Sequence, residues 1–200
     1  MAPIAEARRL AESGTPRYVG VRGRVDAEET FEDEHHRPLV YRRSRLEAGA
    51  GRTWRSLSDH REVVAFEVAE GLDRITVDGD ALDDGLVVIV RESAGTAAEI
   101  PDLVPDDVPP STSVRLHVEH VSTVEHAIVL GVPTRGEDGE PVMGPGLRRP
   151  LVLTTLEPAE AMRLLAGGRR GVAISATSLF AAGLALVTIG LLMALVDALA

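Results

Sequence analysis

From Gly171 to Val196 the chain carries no charged residue, a run of 26 positions. A helix of that run rises about 1.5 Å per residue and reaches roughly 39 Å, against a hydrocarbon core of roughly 30 Å. It spans a bilayer once, with some tilt. Leu179, Phe180, Leu184, Leu186, Val187, Ile189, Leu191, Leu192 and Leu195 surround such a helix on every side, which a half-exposed soluble helix does not tolerate. A helix buried in a protein core is the alternative, and the length of the run favours the span.

The flanks predict the orientation. Arg163, Arg169 and Arg170 precede the run and Asp197 follows it, so the positive-inside rule places the preceding residues on the cytoplasmic side. The sequence thus reads as a tail-anchored, single-pass protein of the cell membrane with the lipid bilayer as one partner. Its expected divisions are an N-terminal arm over 1–16, a β domain over 17–167 and the span over 171–197. Met1 to Ser13 lacks the apolar core of a signal peptide. It predicts a short amphipathic helix with Ile4 and Leu10 on one side, ended by Gly14 and Pro16. Ala176, Gly183 and Gly190 recur at every seventh position of the run and mark a candidate helix–helix face for a homo-oligomer, although small residues are common in all membrane helices.

Composition removes several classes of function. The absence of cysteine excludes a disulfide scaffold, a cysteine-held zinc finger or RING, an Fe–S cluster and a cysteine nucleophile. The 31 acidic residues outnumber 21 basic ones, all of them arginine, for a net charge of −10. A field of that sign repels phosphate, so nucleic acid is not an expected partner. An acidic chain without lysine resembles the soluble face of a protein from a salt-in halophile, where molar salt shortens the Debye length to roughly 3 Å.

Between Tyr18 and Thr155 the hydrophobic period is two rather than 3.6. About eight strands are expected, at Tyr18–Val25, Leu39–Leu46, Val63–Val68, Arg74–Val77, Leu86–Val90, Val114–Val121, Ala127–Val132 and Leu151–Leu156. Turn residues separate them, at Gly49, Gly51, Gly71, Asp78–Gly79, Asp84–Gly85 and Asp138–Gly139. The pattern predicts a mainly β fold, an antiparallel barrel or sandwich with short flanking helices. Ser93 to Ser113, with Pro101, Pro105, Pro109 and Pro110, reads as a surface loop or lid that separates two sub-sheets. A last helix from about Pro158 to Leu165, stopped by Gly167 and Gly168, leads to the span.

The residues show no catalytic motif: neither G-x-S-x-G, Walker A, G-x-G-x-x-G nor H-E-x-x-H occurs. His117, Glu119 and His120 are the best metal-like group, but a strand sends His120 to the opposite face from the other two, so no metal or cofactor is expected. Arg42, Arg43 and Arg45 are split by the same alternation, and pairing with carboxylates is favoured over a head-group patch.

The order of short motifs resembles one family. Tyr18-Val-Gly-Val-Arg-Gly-Arg-Val25, Arg37-Pro-Leu-Val-Tyr-Arg42, Trp54-Arg-Ser-Leu-Ser58, Val64-Ala-Phe66 and Asp73-Arg-Ile-Thr-Val-Asp78 are similar to the GIDE domain, also called BAM, "beside a membrane". Glu125 to Pro133, the Gly136–Gly139 turn and Pro150 to Thr154 resemble its second half. The family is best known from mitochondrial E3 ubiquitin ligases. Their transfer activity uses a RING whose zinc is held by cysteines, and those residues have no counterpart in this chain. Of the matching residues, Gly20 and Gly23 suit close strand approach, Pro38 suits a strand start, and Tyr41, Trp54 and Phe66 are expected in the core, with Val77 and Asp78 completing the motif. The expected function is a non-enzymatic interaction or scaffolding module with a protein partner. A ligase-type activity through a separate RING, a hydrolase using the acidic loops, and binding of anionic lipid through Arg163, Arg169 and Arg170 are the alternatives.

Overall fold

The alternation that begins beside Tyr18 becomes β1 (Val19–Asp26), with Val19, Val21 and Val25 turned inward and Arg22 and Arg24 outward. In the computed structural model the described residues are 1–161 apart from 52, 83, 84 and 158. They contain α1 (Ile4–Ser13), β2 (Phe31–Glu32), β3 (Pro38–Ala50), β4 (Thr53–Val63), β5 (Phe66–Glu70) and β6 (Asp73–Val77). There follow β7 (Leu86–Val87), β8 (Arg91–Thr96), β9 (Ser113–Ser122), β10 (His126–Arg135), β11 (Pro141–Gly144) and β12 (Val152–Thr154). Met1–Leu156 form one compact unit and Glu157 begins a second, of which a helical turn at 159–161 is described. The remainder of the expected last helix, the uncharged run, and with them Arg163, Arg169, Arg170, Ala176, Gly183 and Gly190, lie outside the described residues. Among the described residues no helix is long and apolar enough to cross a membrane.

Five strands close on themselves. β1 pairs β5, β5 pairs β6, β6 pairs β11, β11 pairs β10, and β10 returns to β1. Placing the barrel's fourth strand in chain order, β10, beside its first is a Greek-key order, here in a five-stranded barrel. β12 and β7 extend the sheet from β10. The pairing is antiparallel as expected, with two exceptions: β11 runs parallel to β6, and β12 parallel to β7. The interior holds Val21, Val25, Val68, Ile75, Val129, Met143 and Leu153, all buried.

The other sheet grows out of two connections of the barrel. β2, β3 and β4 lie between β1 and β5, while β8 and β9 lie between β6 and β10. In space β3 sits between β4 and β9, with β8 beyond β9 and β2 beside the start of β3. Val40, Tyr41 and Val121 carry this sheet into the barrel's own core.

α1 closes on the same unit, with Ile4, Ala7 and Ala11 buried. Gly14 ends it in the left-handed conformation, φ 65°, and Thr15 N–H donates to the Leu10 carbonyl, the αL stop that glycine makes without steric cost.

Twelve strands among the described residues replace the expected eight. β4 escaped the pattern because it reads Thr-Trp-Arg-Ser-Leu-Ser-Asp-His-Arg-Glu-Val and is mostly exposed, so no buried face imposes alternation on it. β8 is exposed over Arg91–Ala94, and β2 and β11 span only two and four residues.

The proline-rich stretch also differs from expectation. Its first residues are β8, and the rest joins β8 to β9, neighbours in one sheet rather than two sub-sheets. It makes short 3-10 turns at Ala97–Glu99 and Pro101–Leu103. Ala97 and Val108 cover Leu46, Ala48 and Val114 in a small second core.

Candidate functional site

The motif residues named from sequence are framework. Tyr41 is fully buried and its hydroxyl donates to the Leu82 carbonyl at 3.2 Å. Burial raises its pKa, with Arg61 and Arg43 opposing the shift, so it stays a neutral donor. Phe66 and Val77 are buried, and Asp78 accepts from Ala81 N–H at 3.2 Å to cap a 3-10 turn. Pro38 opens β3, where its carbonyl takes the Ser122 hydroxyl at 2.7 Å.

Trp54 corrects the expectation of a core residue. It is only partly buried, with its indole N–H on the Gly51 carbonyl at 3.1 Å and the Arg115 guanidinium 4.3 Å over its ring. β4 is an outer strand, and Trp54 packs under a cation instead of inside the protein.

One face of the second sheet carries a cluster of charged side chains. The register places Glu92, His117, Arg45 and Asp59 in one row across β8, β9, β3 and β4. The next row holds Glu119, Arg43 and Arg61, and the row on the other side holds Arg115 and Glu47. Apart from Arg43 beside Arg61, opposite charges meet across the strands, some along diagonals and some directly opposite. Arg43 donates twice to Asp59, at 2.9 and 2.7 Å, Arg45 to Glu119 at 3.3 Å, and Arg115 to Glu47 at 2.5 Å. His117 stands between Glu47 at 3.6 Å and Glu92 at 3.7 Å. The Arg43 hydrogen bonds hold the Asp59 carboxyl below the usual range and raise the guanidinium in turn. Arg42 points the other way, to Glu62 at 2.6 Å, as alternation predicts.

The juxtaposition of Glu47, His117 and Glu92 was not visible in the sequence, because cross-strand register, not local spacing, brings them together. Half-exposed pairs of this kind contribute about 0–1 kcal/mol each. Among the described residues no hydroxyl hydrogen-bonds to His117. No three His, Asp or Glu side chains among the described residues converge to hold a metal. The Arg45 Nε is buried without a hydrogen-bond partner.

A shallow depression of about 470 Å³ crosses β5 and β6 beneath the loop after β1, lined by Asp26, Glu28, Glu29, Phe66, Glu67 and Arg74. Five-stranded Greek-key barrels of the OB type bind chains of nucleotides or sugars on their second and third strands and first loop. Here that face holds four carboxylates in the depression against Arg74, a field that opposes a phosphate backbone.

His120, on the opposite face of β9 from His117, gives a pH dependence. Burial lowers its pKa, helped by Arg37 and Arg91 and opposed by Glu125 and Asp33. The fold therefore favours the neutral ring. Its contribution is complete above the unfolded value of 6.5 and is lost as pH falls through the lower folded value. Asp33, held low by its hydrogen bonds to Arg37, and Asp59 act in the same sense further down, below 3.8. The urea midpoint is expected to be flat from about pH 8 to pH 7 and to drop as pH falls below about 6.5. His120→Gln should flatten that drop, and an unchanged drop would remove His120 from the account.

No family model, no curated protein and no solved structure matches the chain. What the geometry defines on its own is a class: a closed five-stranded β barrel bearing a second, half-barrel sheet.

Proposed function

We propose that this protein is a membrane-tethered interaction module without enzymatic activity of its own, its β unit held at the cytoplasmic leaflet by the run Gly171–Val196. The observation that carries the reading is that run of 26 uncharged positions with arginines before it and an aspartate after it. The ionic face supports a binding role. Its charges are paired across strands in a fixed pattern, which suits recognition of a partner with the complementary pattern more than proton transfer to a substrate. The GIDE-like order of motifs agrees with a domain that works beside a membrane. A role in ubiquitin-type transfer would need a separate RING protein as partner, because the chain has no cysteine. Self-association through Ala176, Gly183 and Gly190 belongs to the same proposal.

Fractionation tests the tether. The full chain is expected in the membrane pellet after alkaline carbonate extraction. Leu184→Arg with Ile189→Arg should move it to the supernatant, since each arginine at a span's centre costs about 2.5–3.5 kcal/mol of insertion. A full chain that stays monodisperse in plain buffer overturns the proposal.

A further inference from the structure

The turn Gly146-Leu147-Arg148-Arg149 joins β11 to the last strand before the uncharged run. Gly146 and Arg149 exchange two backbone hydrogen bonds, at 2.9 and 3.1 Å. Between them Leu147 and Arg148 both adopt positive φ, 52° and 59°. That is a type I′ turn, whose central positions are normally glycine, asparagine or aspartate. Local preference is therefore overridden at two successive residues, and what the turn gains is a projecting leucine beside arginines.

The base of the turn is pinned and its tip is free. Tyr18 donates its hydroxyl to the Pro150 carbonyl at 2.9 Å, and the Arg149 guanidinium lies 5.1 Å from the Tyr18 ring. Leu147 is 54% exposed. Arg148 is exposed and makes no hydrogen bond or ion pair among the described residues. Other connections that expose an apolar side chain set it among acids: Leu72 lies between Glu70 and Asp73, Leu103 follows Asp102, and Val124 precedes Glu125. Ile89 and Val90 precede the neutral pair Arg91–Glu92. Among the described connections between strands, only the tip at Leu147 combines an exposed apolar side chain with net positive charge, and it does so on a chain of net charge −10.

We infer that this turn is a bilayer-contacting tip, with Leu147 entering the head-group layer of an anionic leaflet and Arg148 and Arg149 pairing with lipid phosphates. The inference rests on the tether proposed above and adds the surface by which the β unit lies on the lipid. An arginine near an anionic surface strengthens attachment by about fivefold, and an apolar side chain beside it adds to the attraction.

Because the chain has no cysteine, Leu147→Cys and Leu72→Cys each accept a single environment-sensitive fluorophore. The labelled full chains are reconstituted in vesicles of phosphatidylcholine alone or with about one quarter phosphatidylglycerol, and flotation confirms insertion. The expected result is blue-shifted emission at 147, quenched by brominated lipid in the anionic vesicles, with no quenching at 72. Arg148→Gln in the 147-labelled chain should lower the ratio of contacting to free tip about fivefold. Equal emission at 147 and 72 in both lipids would overturn the inference. If the chain fails to float, the tether itself falls. Adding the same labelled chains to preformed anionic vesicles then reads the tip alone, quenching at 147 supporting it and no quenching refuting it. Arg148→Gly, which relieves the backbone, is the folding control: it should raise the thermal midpoint while weakening the contact.

Discussion

Replacing Tyr41 with alanine is expected to destabilise the protein by about 3–5 kcal/mol, the range for removing a large buried aromatic side chain. That is a large part of the roughly 5–15 kcal/mol that holds a typical domain together. Tyr41 belongs to β3 of the second sheet yet lies fully buried in the core of the barrel. Its loss leaves a cavity where the two sheets meet and an unpaired carbonyl at Leu82. Tyr41→Phe keeps the ring and removes the 3.2 Å hydrogen bond, so it should cost only about 1 kcal/mol. Urea denaturation of the two variants separates the contributions, and a loss under about 1 kcal/mol for alanine would show that the ring does not join the sheets.

Gly23→Val should be the second large effect, at about 1–3 kcal/mol from overpacking. A Cβ at Gly23 would meet the Ala69 carbonyl oxygen inside contact distance and the Val68 Cγ1 at 2.7 Å. The first of those atoms is backbone of the neighbouring strand β5, so the barrel wall has to part. Gly20 makes an instructive contrast. There an added Cβ would meet the tips of the Leu130 and Met1 side chains, at 2.6 and 3.0 Å, and both can rotate away. Gly20→Ala should be tolerated where Gly23→Ala is not, and equal thermal midpoints for the two would refute this reading of the barrel wall.

The parts of the fold legible in the sequence are those with a single buried face. Val19, Val21 and Val25 alternate because the barrel interior lies on one side of β1, and α1 could be read from Ile4, Leu10 and Gly14 for the same reason. β4 could not, because an outer strand with little cover can be polar throughout. The parallel contact of Thr76 and Val77 with Val142 and Met143 was hidden by distance along the chain. The ionic face was hidden in a similar way. His117 and Glu119 were visible as neighbours, but Arg45, Glu47 and Glu92 join them only after three strands find their register. The proline-rich stretch was expected as a loop or lid separating two sub-sheets; its first residues are instead β8, and the apolar residues the rest covers belong to β3 and β9, which local sequence does not reveal.

The pairing of Val19 with Gly131 has a kinetic corollary. The ring cannot shut until nearly all of the chain that precedes the uncharged run has been synthesised, and closing a loop of that length carries an entropic penalty that grows with its logarithm. Contacts so distant in sequence make for slow folding. The newborn polypeptide therefore passes through a period in which its strands have unsatisfied borders, and any factor that shelters them during synthesis would act before β10 has left the ribosome, not after.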